Sequence, residues 1–78
     1  MTGSLNTMSV SNPNQDLLDL YSWFKGKYHG KDHKRAFCDI TGIGFHSIGA
    51  YQARPGSDGF RRCPPLILEI AKRRLGVL

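Results

Sequence analysis

KRAFCDITGIGFHSIGAYQA, residues 34–53, is the stretch whose reading decides the fold. Two short amphipathic segments flank Gly42, which sits where a tight turn between helices needs a residue tolerant of positive φ. Cys38 is small enough for a second helix to cross close by. Ile43, Ile48 and Tyr51 are spaced to pin that helix onto a core shared with Phe37 and Cys38. The window reads as a helix–turn–helix unit over about residues 32–53. Its first helix is expected over 32–41, with Asp32 as the cap and Phe37, Cys38 and Ile40 inward. Its second is expected from Phe45 to Ala53.

Upstream, Asn12-Pro13-Asn14-Gln15 carries a helix-start signature: an Asn cap, Pro at the first helical position and Gln three residues after the cap. The helix that follows is expected to reach Tyr28. At about 100° per residue, Leu17, Leu20, Tyr21, Phe24 and Tyr28 fall within one narrow arc, which is the core face. Trp23 and Leu18 lie off that arc on opposite flanks, and Trp23 is expected to cover the margin of the core. Gly26 weakens the helix, and Gly30 is expected to close it in the left-handed conformation. Residues 1–11 are small, polar and aperiodic and read as a disordered tail, and the second Met at position 8 leaves open whether residues 1–7 are an addition to the natural chain.

Downstream, Arg54-Pro55-Gly56 breaks the second helix of the unit, because proline disfavours helix in the residue before it. A basic loop follows over 54–63, with a turn at Gly56–Gly59 and the pair Arg61-Arg62. Phe60 reads either as part of a groove-binding arm or as a side chain tucked under the last helix. Cys63-Pro64-Pro65 opens that helix, expected over 64–75. Its apolar residues Leu66, Ile67, Leu68, Ile70, Ala71 and Leu75 sweep a little over half the circumference, against roughly 100° for a helix that only caps a core. The excess points to a homodimer through residues 66–75, or to an end helix buried deeply in a small protein. The fold expected is all-α: one four-helix domain over residues 12–78.

Seventy-eight residues make one domain with a small core. No run is long enough to span a bilayer, and the apolar stretch of a signal peptide is missing, so a cytoplasmic address and no membrane partner are expected. Cys38 and Cys63 form no CxxC pair and read as thiols rather than a disulfide. Residues 1–24 hold Asp16 and Asp19 and no base, a charge of −2. The remainder holds all eleven Lys and Arg against four acids, a charge of +7. Lys25, Lys27, Lys31, Lys34 and Arg35 lie in one short stretch. Such a balance favours a polyanion or an acidic protein surface, although a solvated basic face is the plainer alternative.

Catalytic and metal chemistry find little support. His29 and His33 are four apart, but Gly30 lies between them and no second pair supplies further ligands at a standard spacing. With Cys38, His46 and Cys63 they read as surface or packing residues, and no metal or other cofactor is expected. Asp16 and Asp19 sit where carboxylates simply favour a helix dipole. GIGFHSIG lacks the Lys-Ser/Thr ending and the preceding strand of a phosphate loop. No enzyme is expected.

Residues 34–53, followed by a basic loop and a proline-started helix, resemble the compact helix–turn–helix transcription regulators of phages and mobile elements, including Cro-like and anti-CRISPR-associated repressors. The resemblance covers roughly residues 15–75 and implies binding of duplex DNA, commonly as a dimer, with helix 45–53 as the recognition helix. It places Lys34 and Arg35 on phosphates. Read from the residues, His46, Ser47, Gln52 and Arg54 are the candidates to face bases, and Lys31, Arg61 and Arg62 join the phosphate set. That outer face is sparse, since His46, Gly49, Ala50 and Ala53 occupy its centre. A smooth face lets DNA approach closely; equally, it suits a scaffold that holds a protein. The chain is also similar to a small xanthomonad-phage type of antiterminator that binds host RNA polymerase. A protein-interaction module outside transcription, such as a defence inhibitor, is the third class.

Overall fold

Among residues 12–77, which the computed structural model describes, four helices follow one another: α1 (Gln15–Lys27), α2 (His33–Thr41), α3 (Phe45–Gln52) and α4 (Pro65–Leu75), with no strand. The domain is all-α, as its sequence predicts. The tail expected over residues 1–11 lies outside the described residues.

The α2–α3 unit forms for the reasons its sequence supplies. The Asp32 carboxylate accepts from the Arg35 N–H at 3.1 Å, satisfying one of the donors that a helix start leaves free. Gly42 ends α2 at φ 82°, a left-handed conformation open to glycine, and its N–H donates to the Cys38 carbonyl at 2.8 Å. The buried Thr41 hydroxyl donates to the Phe37 carbonyl and accepts from the Ile43 N–H, so the turn enters the core without an orphan polar group. α3 then starts from Gly44 in extended conformation.

Helix α2 is central and packs on each of the other three. The core comprises Leu17, Leu20 and Phe24 of α1, Phe37 and Cys38 of α2, Ile43 of the turn, Ile48 and Tyr51 of α3, and Ala71 of α4. Phe37 is fully buried, with the Tyr21 ring edge-on at 5.0 Å and the Phe24 ring at 5.5 Å. Cys63, Ile67, Leu68 and Leu75 close over this cluster.

Four local expectations are corrected. Ile40 is exposed, because it turns away from the arc of Phe37, Cys38 and Thr41, and Thr41 takes the inward place. Tyr28, counted on the core face, is exposed: it follows the last residue of α1 in extended conformation and stacks its ring back on Phe24 at 5.3 Å. Gly30 is not left-handed. Its lack of a side chain makes room for the Tyr28 ring, which a Cβ would strike. The helix start is also built differently. Asn14, and not Asn12, holds the N-cap position and makes no side-chain cap bond; the Asn12 side chain accepts from the Asn14 N–H at 2.8 Å in the turn ahead of the helix, and Gln15 donates to Asp19 instead of closing a box. Asn14 turns into the core.

Trp23 is 40 % exposed, with the Lys27 ammonium 4.6 Å from its ring, so it sits at the core margin and keeps a face in solvent. On α4 only Ala71 is buried; Ile67, Leu68 and Leu75 are half-buried, Ile70 is exposed, and Leu66 is 65 % exposed. The wide apolar arc is therefore not absorbed by deep burial of the helix.

Candidate functional site

Helix α3 presents Ile48 and Tyr51 to the core and His46 and Ser47 to solvent. No side chain caps its N-terminus, so the first-turn N–H groups are left without a side-chain partner. Basic groups gather on both sides of this helix. On one flank Phe45 is 46 % exposed, with Lys34 Nζ 4.6 Å and Arg35 Cζ 5.6 Å from its ring centroid. Both cations come from the first turn of α2, and the aromatic face holds them beside the start of α3. Arg35 also pairs with Asp32, Nε to Oδ2 at 3.6 Å, in an exposed position that screens the attraction.

On the other flank, Arg61 lines an open depression with His46, Ser47 and Ala50. Its backbone N–H donates to the Ala50 carbonyl at 3.1 Å, which draws the 54–63 loop along α3. Besides Arg35–Asp32, the ion pair among the described residues is Arg73–Glu69, so Lys34 and Arg61 carry no acidic partner there.

The structure thus brings His46, Ser47, Lys34, Arg35 and Arg61 around one helix. Other expected members lie elsewhere. Gln52 is half-buried and near enough to the Tyr21 phenol of α1 to influence its proton, whereas His46 is exposed. Burial raises the Tyr21 pKa above its ordinary value, and Gln52 acts against that rise. Arg62 lines a separate groove with Pro13, Asp16 and Leu68, between α1 and α4. Arg54 is exposed just past α3, where its carbonyl accepts from the Ser57 N–H and hydroxyl at 3.0 and 2.7 Å. Lys31 stands exposed in the α1–α2 connection. Phe45 was not singled out from sequence as a site residue. Its distance in the chain from Lys34 and Arg35 hides a contact that only the crossing of α2 and α3 creates.

The thiols belong to the packing. Burial pushes the Cys38 pKa up, partly offset by Lys34, and burial also raises Cys63. His33 lies against the Tyr21 ring at 5.7 Å. Among the described residues no three His, Cys, Asp or Glu side chains are grouped to hold a metal ion, and no helix is long and apolar enough to cross a membrane. No family model, curated protein or solved structure matches this chain.

Proposed function

We propose that the chain is a phage-type transcription regulator that binds duplex DNA, laying α3 in the major groove. The observation that carries this reading is the placement of cations on both sides of one exposed helix, Lys34 and Arg35 on one flank and Arg61 on the other. A helix with its side chains is about 10–12 Å across and the major groove about 12 Å wide, so groups flanking the helix meet the phosphates that line the groove. His46 and Ser47 then face base edges, while Gln52 is half-buried near Tyr21. With few base readers, affinity comes mainly from phosphates and is steeply salt-dependent.

The test is binding to the duplex upstream of the chain's own gene across a salt series. Lys34→Ala and Arg35→Ala are each expected to reduce the slope of log K against log salt by about one. Binding that is flat in salt, or unchanged by both substitutions, overturns the reading.

One observation favours a second reading, a regulator that holds host RNA polymerase. The centre of the α3 face, around Gly49 and Ala50, offers no bidentate base reader. Polymerase subunits retained from host lysate, without sequence preference on DNA, would select it. Under either reading the exposed Leu66 and Ile70 on α4 suit a homodimer.

A further inference from the structure

We infer that Asn14 is a positioning residue that selects Arg61, and not its neighbour Arg62, for the α3 face; the inference rests on the DNA-binding reading above. Asn14 is 2 % exposed and lies at the start of α1, remote in sequence from the site. Its side-chain amide joins three backbone groups. Nδ2 donates one hydrogen to the Tyr51 carbonyl at 2.9 Å and the other to the Arg61 carbonyl at 2.7 Å. Oδ1 accepts from the Cys63 N–H at 2.7 Å.

This set of partners fixes the amide orientation, because the reverse would press its oxygen against two carbonyls. Both donors are used, and no buried side-chain polar atom among the described residues lacks a partner. Asn14 therefore ties the last turn of α3 to the loop on either side of Arg62. Together with the Arg61 N–H bond to Ala50, it sets the register of this segment. In that register Arg61 lines the depression with His46, Ser47 and Ala50, and Arg62 falls into the groove beside Asp16. A shift by one residue would exchange them. Two adjacent arginines that look equivalent in sequence are made unequal by one buried amide.

The inference predicts a pattern in salt-series titrations of the full chain with the upstream duplex, at a temperature where circular dichroism shows each variant folded. Arg61→Ala is expected to lower the salt slope by about one, the signature of one lost phosphate contact, and Arg62→Ala to leave it unchanged. Asn14→Ala should lower the slope as Arg61→Ala does, and the double variant should lower it no further. Loss of stability alone does not change the slope of a folded protein, so this readout separates positioning from a merely structural role. Equal effects of Arg61→Ala and Arg62→Ala overturn the inference, as does a wild-type slope in folded Asn14→Ala or an additive double variant. Should Asn14→Ala not fold, Asn14→Ser, which cannot hold all three backbone groups, takes its place in the same titration with the same outcomes. A wild type that binds no duplex overturns the DNA-binding reading itself, whereas a duplex-binding wild type with equivalent arginines overturns this inference only.

Discussion

Gly42 and Gly49 belong to the same helix–turn–helix unit, yet a methyl group should act on them in opposite directions. At Gly42 an added Cβ has ordinary space, with the nearest atom, Arg74 Nη1, at 3.8 Å. The φ of 82° is the obstacle, and Gly42→Ala is expected to destabilise by about 1–2 kcal/mol. At Gly49 the backbone is helical and an added Cβ meets open space. Gly49→Ala should stabilise by about 0.5–1 kcal/mol, through lower unfolded-state entropy and better helix propensity. Urea unfolding of both variants checks the pair; a common sign would refute the account. The role of Gly42 is legible in sequence because turn chemistry is local. The role of Asn14 is not: the cap is read onto Asn12, and the partners that give Asn14 its role lie 37 and 49 residues away in the chain.

At the scale of elements, stability centres on α2, which touches every other helix. Phe37 is its anchor, and Phe37→Ala should lower stability by about 3–5 kcal/mol, much of what a domain this small possesses. Loss of the cooperative thermal transition, or a large fall in Tm, is the expected result. α4 behaves differently because one side of it is left in water. If Leu66 and Ile70 meet a second copy, light scattering should give a dimer mass that Leu66→Lys reduces to a monomer while circular dichroism stays unchanged. A wild-type monomer at high concentration would remove the dimer. Periodicity made α1, α2 and α4 readable as amphipathic helices, and local chemistry marked the Pro-Pro start of α4 and the Gly42 stop of α2. It misassigned Ile40 and Tyr28, which lie at the edge of an arc or past its end, where small differences in helix packing and termination decide burial.

The whole molecule adds what no single element holds. Tyr21, Cys38 and Cys63 come from three regions, and burial raises the pKa of each. Their folded forms bind protons more tightly than the unfolded chain does. That stabilisation is complete below the unfolded thiol pKa of about 8.5 and is lost as pH rises from there through the raised folded values. Chemical-denaturation midpoints should hold near neutrality and fall in alkali, with the thiols slow to alkylate near neutral pH; a midpoint that rises above about pH 8.5 would contradict this. Charge is also organised at this scale, with Lys34 and Arg35 from α2 and Arg61 from the loop meeting on either side of α3. By itself the sequence determined the four helices and the turn at Gly42, because capping, backbone freedom and apolar spacing act over a few residues. Tertiary structure alone decided that Phe45 joins the basic flank, that Gln52 comes near Tyr21, and that Arg61 rather than Arg62 lies along α3. Those outcomes depend on contacts such as Cys63 to Asn14, 49 residues apart in the chain, which no local pattern encodes.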